Sequence, residues 1–193
     1  MIRNRLAILL AERGLRATQV ANGTGIARST LSKITNNASE KIDYSTINTL
    51  CRYLNITPCD FFEYAPFDAS VTVEIGKQPE YNYDEQPTKW PIEVFLNVDE
   101  QAGKSTFEYV GEISEGGPFS MDTGEKIHFV FIEPINQQES DKLKMFFCDL
   151  STSMIASLKN EFIDAIYNQL KSEGFKPGTK DFIEINLINL SKD

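Results

Sequence analysis

Cysteine and histidine are scarce: three cysteines, Cys51, Cys59 and Cys148, with no CxxC pair, and a single histidine, His128. An odd, scattered cysteine set excludes a disulfide scaffold, and a structural zinc site needs four closely placed Cys/His ligands. Long apolar runs are missing as well. Charged residues break every stretch short of the roughly 20 residues that a membrane helix needs. The opening Met1-Ile2-Arg3-Asn4-Arg5 leads into a short apolar patch followed at once by Glu12 and Arg13, with no small-residue cleavage site, so no signal peptide is expected. P-loop, GxGxxG and HExxH signatures are absent too. The expectation is a reduced, cytoplasmic chain with no metal, no cofactor and no membrane partner.

What is present is an ordinary globular composition over 193 residues, 41% hydrophobic and 24% charged. The net charge of −9 hides a division. Residues 1–66 hold 8 Lys/Arg against 5 Asp/Glu, a balance of +3; residues 67–193 hold 11 against 23, a balance of −12. Only the first part can approach phosphate, and the second would be repelled by it. Such asymmetry marks two modules, 1–66 and 67–193.

The first module reads as five short helices. From Ile2 to Arg13, apolar Ile2, Leu6, Leu9 and Leu10 recur at helical spacing before Gly14. Thr18–Thr24 follows, then Gly25 as the turn residue, with Ile26 plugging the turn. Arg28–Asn36 places Leu31 and Ile34 inward, and Ser45–Leu54 does the same with Ile47, Leu50, Cys51 and Leu54. Thr57-Pro58-Cys59-Asp60 is a strong helix start, with a hydroxyl cap, proline at the first position and a carboxylate in the first turn. None of these helices is long enough to stand alone, so all must share one core.

The stretch from Gln19 to Ile34 carries the functional signal. Small Ala21 lets two helices cross closely, Gly25 allows a left-handed turn, and Leu31 with Ile34 leaves Arg28, Ser29, Ser32 and Lys33 pointing outward. That outward face has the chemistry of a helix inserted into a DNA major groove. On the Gly25-Ile26 turn, the run Arg28-Ser29-Thr30-Leu31-Ser32-Lys33-Ile34 and the tail Leu54-Asn55-Ile56-Thr57-Pro58 with Phe61-Phe62, residues 2–64 resemble the Cro/CI-type (xenobiotic-response-element) helix-turn-helix family. The resemblance implies an all-α five-helix domain that binds double-stranded operator DNA. It further implies a bacterial, phage or mobile-element regulator, usually a repressor and a homodimer, nucleoid-associated when bound. By position, Arg28, Ser29 and Lys33 would meet base edges, Thr30 and Asn36 would lie near phosphates, and Thr18 joins the DNA-binding set. Three departures stand out. Ala17 replaces a frequent phosphate-contacting Gln, Ala27 replaces the usual Ser/Thr cap, and Gly23 inside a helix costs roughly 1 kcal/mol relative to Ala.

After Pro66 the apolar period changes to two. Strands are expected at Val71–Ile75, Ile92–Val98, Thr106–Ile113, Lys126–Glu133, Leu143–Phe147 and Phe182–Leu190, with an aromatic, acidic loop at Gln78–Pro91. Ser153–Ser172 is a long helix with the stripe Ile155, Leu158, Phe162, Ile166 and Leu170. The expected class is α+β, a mostly antiparallel sheet with one long helix across it. Ala102-Gly103, Ser120 and Lys159 superficially resemble a self-cleaving serine–lysine domain. A general-base lysine must be buried, however, whereas Lys159 adjoins Asn160 and Glu161 on a wet helix face, and no Gly-Asp precedes Ser120. His128 reads as structural, and Glu133, Glu139 and Asp141 as a solvated polar loop. No catalytic residues are expected. The second module then serves dimerisation or effector sensing. The alternative is a bifunctional protein whose acidic module inhibits a basic protein partner, anti-CRISPR-like or antitoxin-like, while the helix-turn-helix regulates its own operon.

Overall fold

The computed structural model describes residues 1–39, 41–77, 89–115 and 128–187. The chain divides into two compact units, Met1–Pro66 and Phe67–Asp193.

The first unit contains β1 (Ile2–Asn4), α1 (Leu6–Glu12), α2 (Ala17–Thr24), α3 (Arg28–Thr35), α4 (Tyr44–Leu54), α5 (Pro58–Phe61) and β2 (Phe62–Tyr64). Leu6, Leu9, Leu10, Val20, Leu31, Ile34, Leu50, Leu54 and Phe61 form its core. Each such side chain contributes about 1.5–3 kcal/mol on leaving water, which offsets the poor intrinsic stability of helices this short. Thr57 and Asp60 cap α5 reciprocally: the Thr57 N–H donates to Asp60 Oδ2 at 2.9 Å, and the Asp60 N–H donates to Thr57 Oγ1 at 3.4 Å. Hydrogen bonds from the Thr57 hydroxyl and backbone hold the Asp60 carboxyl below its usual range. Burial pushes the Cys51 thiol up, so it sits in the core as a neutral group.

An all-α reading of this unit is corrected by the ribbon that β1 and β2 form. They pair antiparallel, Ile2 opposite Tyr64 and Asn4 opposite Phe62. Ile2 is therefore a strand residue, 65% exposed, rather than the first core position of a helix. The helix begins only after Asn4, whose Oδ1 accepts from the Leu6 N–H at 3.1 Å. The Arg5 N–H donates to Phe61 O at 2.8 Å and the Met1 amine to Ala65 O at 2.8 Å, which tie the start of the unit to its end. Gly23 is more than a weak point in α2, because the Tyr53 ring of α4 lies where a side chain would project.

The second unit has β3 (Phe67–Ile75), β4 (Lys89–Glu100), β5 (Gly103–Glu115), β6 (His128–Pro134), α6 (Gln137–Cys148), α7 (Thr152–Ser172), a 3-10 turn at Lys180–Phe182, and β7 (Ile183–Ile185). The sheet order is β3-β4-β5-β6-β7. The first three pairs are antiparallel and β6–β7 is parallel. Ile92, Val94, Leu96 and Val98 of β4, Tyr109 and Ile113 of β5, and Val130 and Ile132 of β6 are buried on one face. Leu143 and Phe147 of α6, with Met154, Leu158, Phe162, Ile166 and Leu170 of α7, are buried as the helical part of this core. The Tyr109 and Phe162 rings meet edge to face at 5.1 Å. Burial pushes the Tyr109 hydroxyl far up, so it stays protonated and donates to Leu187 O at 3.2 Å.

Several local expectations are overturned here. Leu143–Phe147 is helical: Leu143 and Phe147 are an i, i+4 core pair, and Met145 between them is 76% exposed. The unit therefore carries two helices across its sheet. Lys89–Pro91 belongs to β4, not to a loop, while residues 78–88 of that loop lie outside the described residues. Glu133 is in β6, and Glu139 and Asp141 are in α6. Glu139 is buried there, beside Lys142 at 3.2 Å. The closing strand is shorter than expected, and residues 188–193 lie outside the described set. His128 shares the helix-covered face with Val130 and Ile132 and packs on Trp90 and Phe175. Lys159 is exposed on α7, Ala102 lies in the β4–β5 turn and Gly103 opens β5, whereas Ser120 lies outside the described residues.

Gly111 sits where β5 and β6 leave no room for a side chain. A Cβ built on it would lie 1.9 Å from Phe131 O of β6, a backbone atom with no freedom to swing aside. Gly111→Ala should therefore destabilise the second unit by about 1–3 kcal/mol, as overpacking does. Urea denaturation of the full chain, followed by the fluorescence of Trp90, measures this.

Candidate nucleic-acid interface

The geometry of α2, the turn and α3 follows from a few local interactions. Gly25 closes α2 in the left-handed region, φ +74°, and its N–H donates to Ala21 O at 2.9 Å. The Thr24 hydroxyl donates to Val20 O at 2.6 Å and accepts from the Ile26 N–H at 3.3 Å. Ile26 packs against the core from the turn. Leu31 and Ile34 are buried, so the remaining faces of α3 turn outward at the helical period. Arg28, Ser29, Ser32 and Lys33 form a contiguous exposed strip. Thr30 is exposed beside it, as is Thr18 in the first turn of α2. Asn36 is exposed as the cap that ends α3, so the helix stops one residue earlier than the spacing predicted. No side chain caps α3 at Ala27.

The far end of α3 is held by two residues that the sequence reading passed over. Asn37 is left-handed at φ +52°. Its N–H donates to Ile34 O and the Ala38 N–H to Lys33 O, both at 2.9 Å, which is the Schellman ending of a helix. The Asn37 side chain then reaches β1. Its Oδ1 accepts from the Asn4 N–H at 2.9 Å and from Asn4 Nδ2 at 2.6 Å, and its Nδ2 donates to Asn4 O at 3.2 Å. Buried Asn4 also donates from Nδ2 to Ile34 O at 2.7 Å. One amide pair thus caps α1, ends α3 and joins both to the β1–β2 ribbon. The available signal was Asn36-Asn37 directly after an amphipathic helix, a C-terminal stop of the left-handed kind.

Residues 5–66 match the Cro/C1-type HTH DNA-binding domain. The match lies within the first unit and leaves residues 67–193 uncovered. Comparison with curated proteins and with solved structures returns no match. Among the described residues, no helix is long and apolar enough to cross a membrane, and no group of His, Cys, Asp and Glu is placed to hold a metal ion.

Charge placement agrees with a DNA-binding domain in the first unit. Every arginine of the chain lies within it: Arg3, Arg5, Arg13, Arg16, Arg28 and Arg52. A guanidinium presents a planar fork suited to phosphate and guanine, which a lysine cannot reproduce. The absence of arginine beyond Arg52 was legible in the sequence and sharpens the division that net charge alone shows.

The Asn4–Asn37 link generates a test. Asn37→Gly keeps the left-handed turn and deletes the side-chain bonds, leaving the Asn4 backbone N–H and C=O without their partners at about 1–3 kcal/mol. Asn4→Ala removes only the Nδ2 bond of this link, because the other two run through the Asn4 backbone, together with the bonds to Ile34 O and the Leu6 N–H. A double-mutant cycle by thermal denaturation should give a coupling energy of about 0.5–3 kcal/mol; simple additivity would show that the two amides act independently.

Proposed function

We propose that this protein is a sequence-specific transcriptional regulator, a repressor of phage or mobile-element type, that reads the DNA major groove with α3. The observation that carries this reading is the exposed strip of Arg28, Ser29, Ser32 and Lys33, on a helix whose other side is locked into a Cro/C1-type domain by Leu31 and Ile34. In this reading Arg28, Ser29 and Lys33 face base edges. Thr30 and Asn36, the latter closing α3, lie near the phosphates, and Thr18 in the first turn of α2 joins the DNA-binding set. The uncapped first turn of α3 adds free N–H groups and the positive end of a helix dipole on the same side.

A single module buries too little surface to find one site among genomic competitors. The protein therefore acts as a homodimer on two half-sites about one helical turn, roughly 34 Å, apart. The second unit supplies the dimer contact or responds to an effector, and catalysis has no part in this reading. The DNA module spends its apolar residues on its own core, which supports placing that contact elsewhere.

Arg28→Ala should cost about 1–3 kcal/mol of discrimination at one base pair. Lys33→Ala should weaken all sequences alike and reduce the salt slope by about 1. Both are measured by selection from a random duplex library followed by salt-titrated binding. Light scattering of the free protein and of its DNA complex tests the dimer. A monomer in both states, or no duplex binding at low salt, would overturn the proposal.

A further inference from the structure

The second unit has a sheet face that none of its own described elements covers. Buried β4, β5 and β6 side chains share the core with α6 and α7; their neighbours in sequence point to the other side. The strand register lays that outer face out row by row. Thr72, Phe95 and Glu108 stand side by side; next come Glu74, Glu93, Val110 and Glu133; then Pro91, Glu112, Phe131 and Glu184. Phe95, Val110 and Phe131 therefore run diagonally across three strands, a stripe of about 17 Å by ordinary strand spacings. Glu93 and Glu112 flank it on one side, Glu108, Glu133 and Glu184 on the other. Phe131 is 41% exposed, and so is Ile135 at 42%, beside Glu108, to whose carbonyl its N–H donates.

On this face Glu74 and Glu93 are directly opposed across a strand pair, and like charges so placed oppose the pairing. Lys89 pairs with Glu112 and Lys104 with Asp99 on this face. Beyond the stripe, Asp68, Ser70, Asn97, Asp99, Lys104 and Thr106 line an open recess of about 290 Å³.

We propose that this outer face docks an amphipathic helix of a basic protein, its narrow apolar row seated on Phe95, Val110 and Phe131, with lysines or arginines on both flanks meeting the carboxylates. Charge complementarity selects this occupant. The same charge repels nucleic acid, an anionic membrane and the equivalent face of a second copy. A helix supplies about 17 Å in three turns, and a cation on either side of an apolar row is the mirror of what the sheet presents. The proposal stands apart from DNA reading by α3 and can fail without it.

The test uses the full chain and a labelled 18-residue helical peptide with one leucine row flanked by lysines, read by fluorescence anisotropy. A peptide of the same composition, scrambled to lose the row, is the comparison. Glu93→Gln with Glu133→Gln, and separately Phe131→Ser, should each weaken binding at least tenfold. Asp149→Asn with Glu173→Gln, which removes the same charge from the helical side, should change it less than twofold. Glu93→Gln should also raise the melting temperature, since it relieves the repulsion from Glu74. Equal binding of the scrambled peptide, equal loss in the helical-side variant, no binding at micromolar concentration, or a fall in melting temperature would each overturn the proposal.

Discussion

An eight-residue helix has no stable existence in water on its own, because nucleation costs more than so few hydrogen bonds return. Everything the first unit can do with α3 depends on its being held from behind. Leu31 and Ile34 do this by burial, and the Asn4–Asn37 pair does it by direction, fixing the last turn of α3 to a strand that is itself tied to the end of the unit. Apolar packing alone would let a short helix slide or roll by a fraction of a turn. Directional amide bonds at one end and the Gly25 turn at the other remove that freedom, so the exposed strip keeps one orientation.

Much of this was legible in the residues. Helical spacing located α2, α3 and α4 to within about a residue, because each carries an apolar face of one sign and an unambiguous stop. Gly25 announced the turn, and Thr57-Pro58 announced α5. The exposed positions on α3 followed once Leu31 and Ile34 were assigned inward. What escaped notice was non-local. Three residues at the start of the chain become a strand only because Phe62–Tyr64 is available to pair with them, and no window around Ile2 contains that information. Asn4 and Asn37 lie far apart in sequence, and neither signals the other.

The second unit divides along the same line. β3, β4, β5 and β6 were readable because one sheet face is wet and the other dry, which imposes strict alternation. Leu143–Phe147 misled for a related reason: Leu143 and Phe147 satisfy both a period of two and an i, i+4 spacing, and exposed Met145 completed the false alternation. In β6 the covered side is that of His128, Val130 and Ile132, and Phe131 stands on the open one. Carboxylates at the exposed positions kept the alternation visible, and the face that made the strands easy to find is the one left open by α6 and α7.

The parallel pairing of β6 with β7 sets a timetable. β7 reaches β6 only after α6 and α7, which connect the two strands, have been made, so the second unit lacks its last strand until Ile185 is made. The first unit closes with Tyr64, when β2 pairs with β1. At bacterial and eukaryotic synthesis rates the interval is roughly 6–25 s, far longer than a small helical domain takes to fold. During translation the first unit is thus complete while its acidic companion is still a nascent strand meander. Whatever the second unit adds is imposed late, on a domain that has already folded.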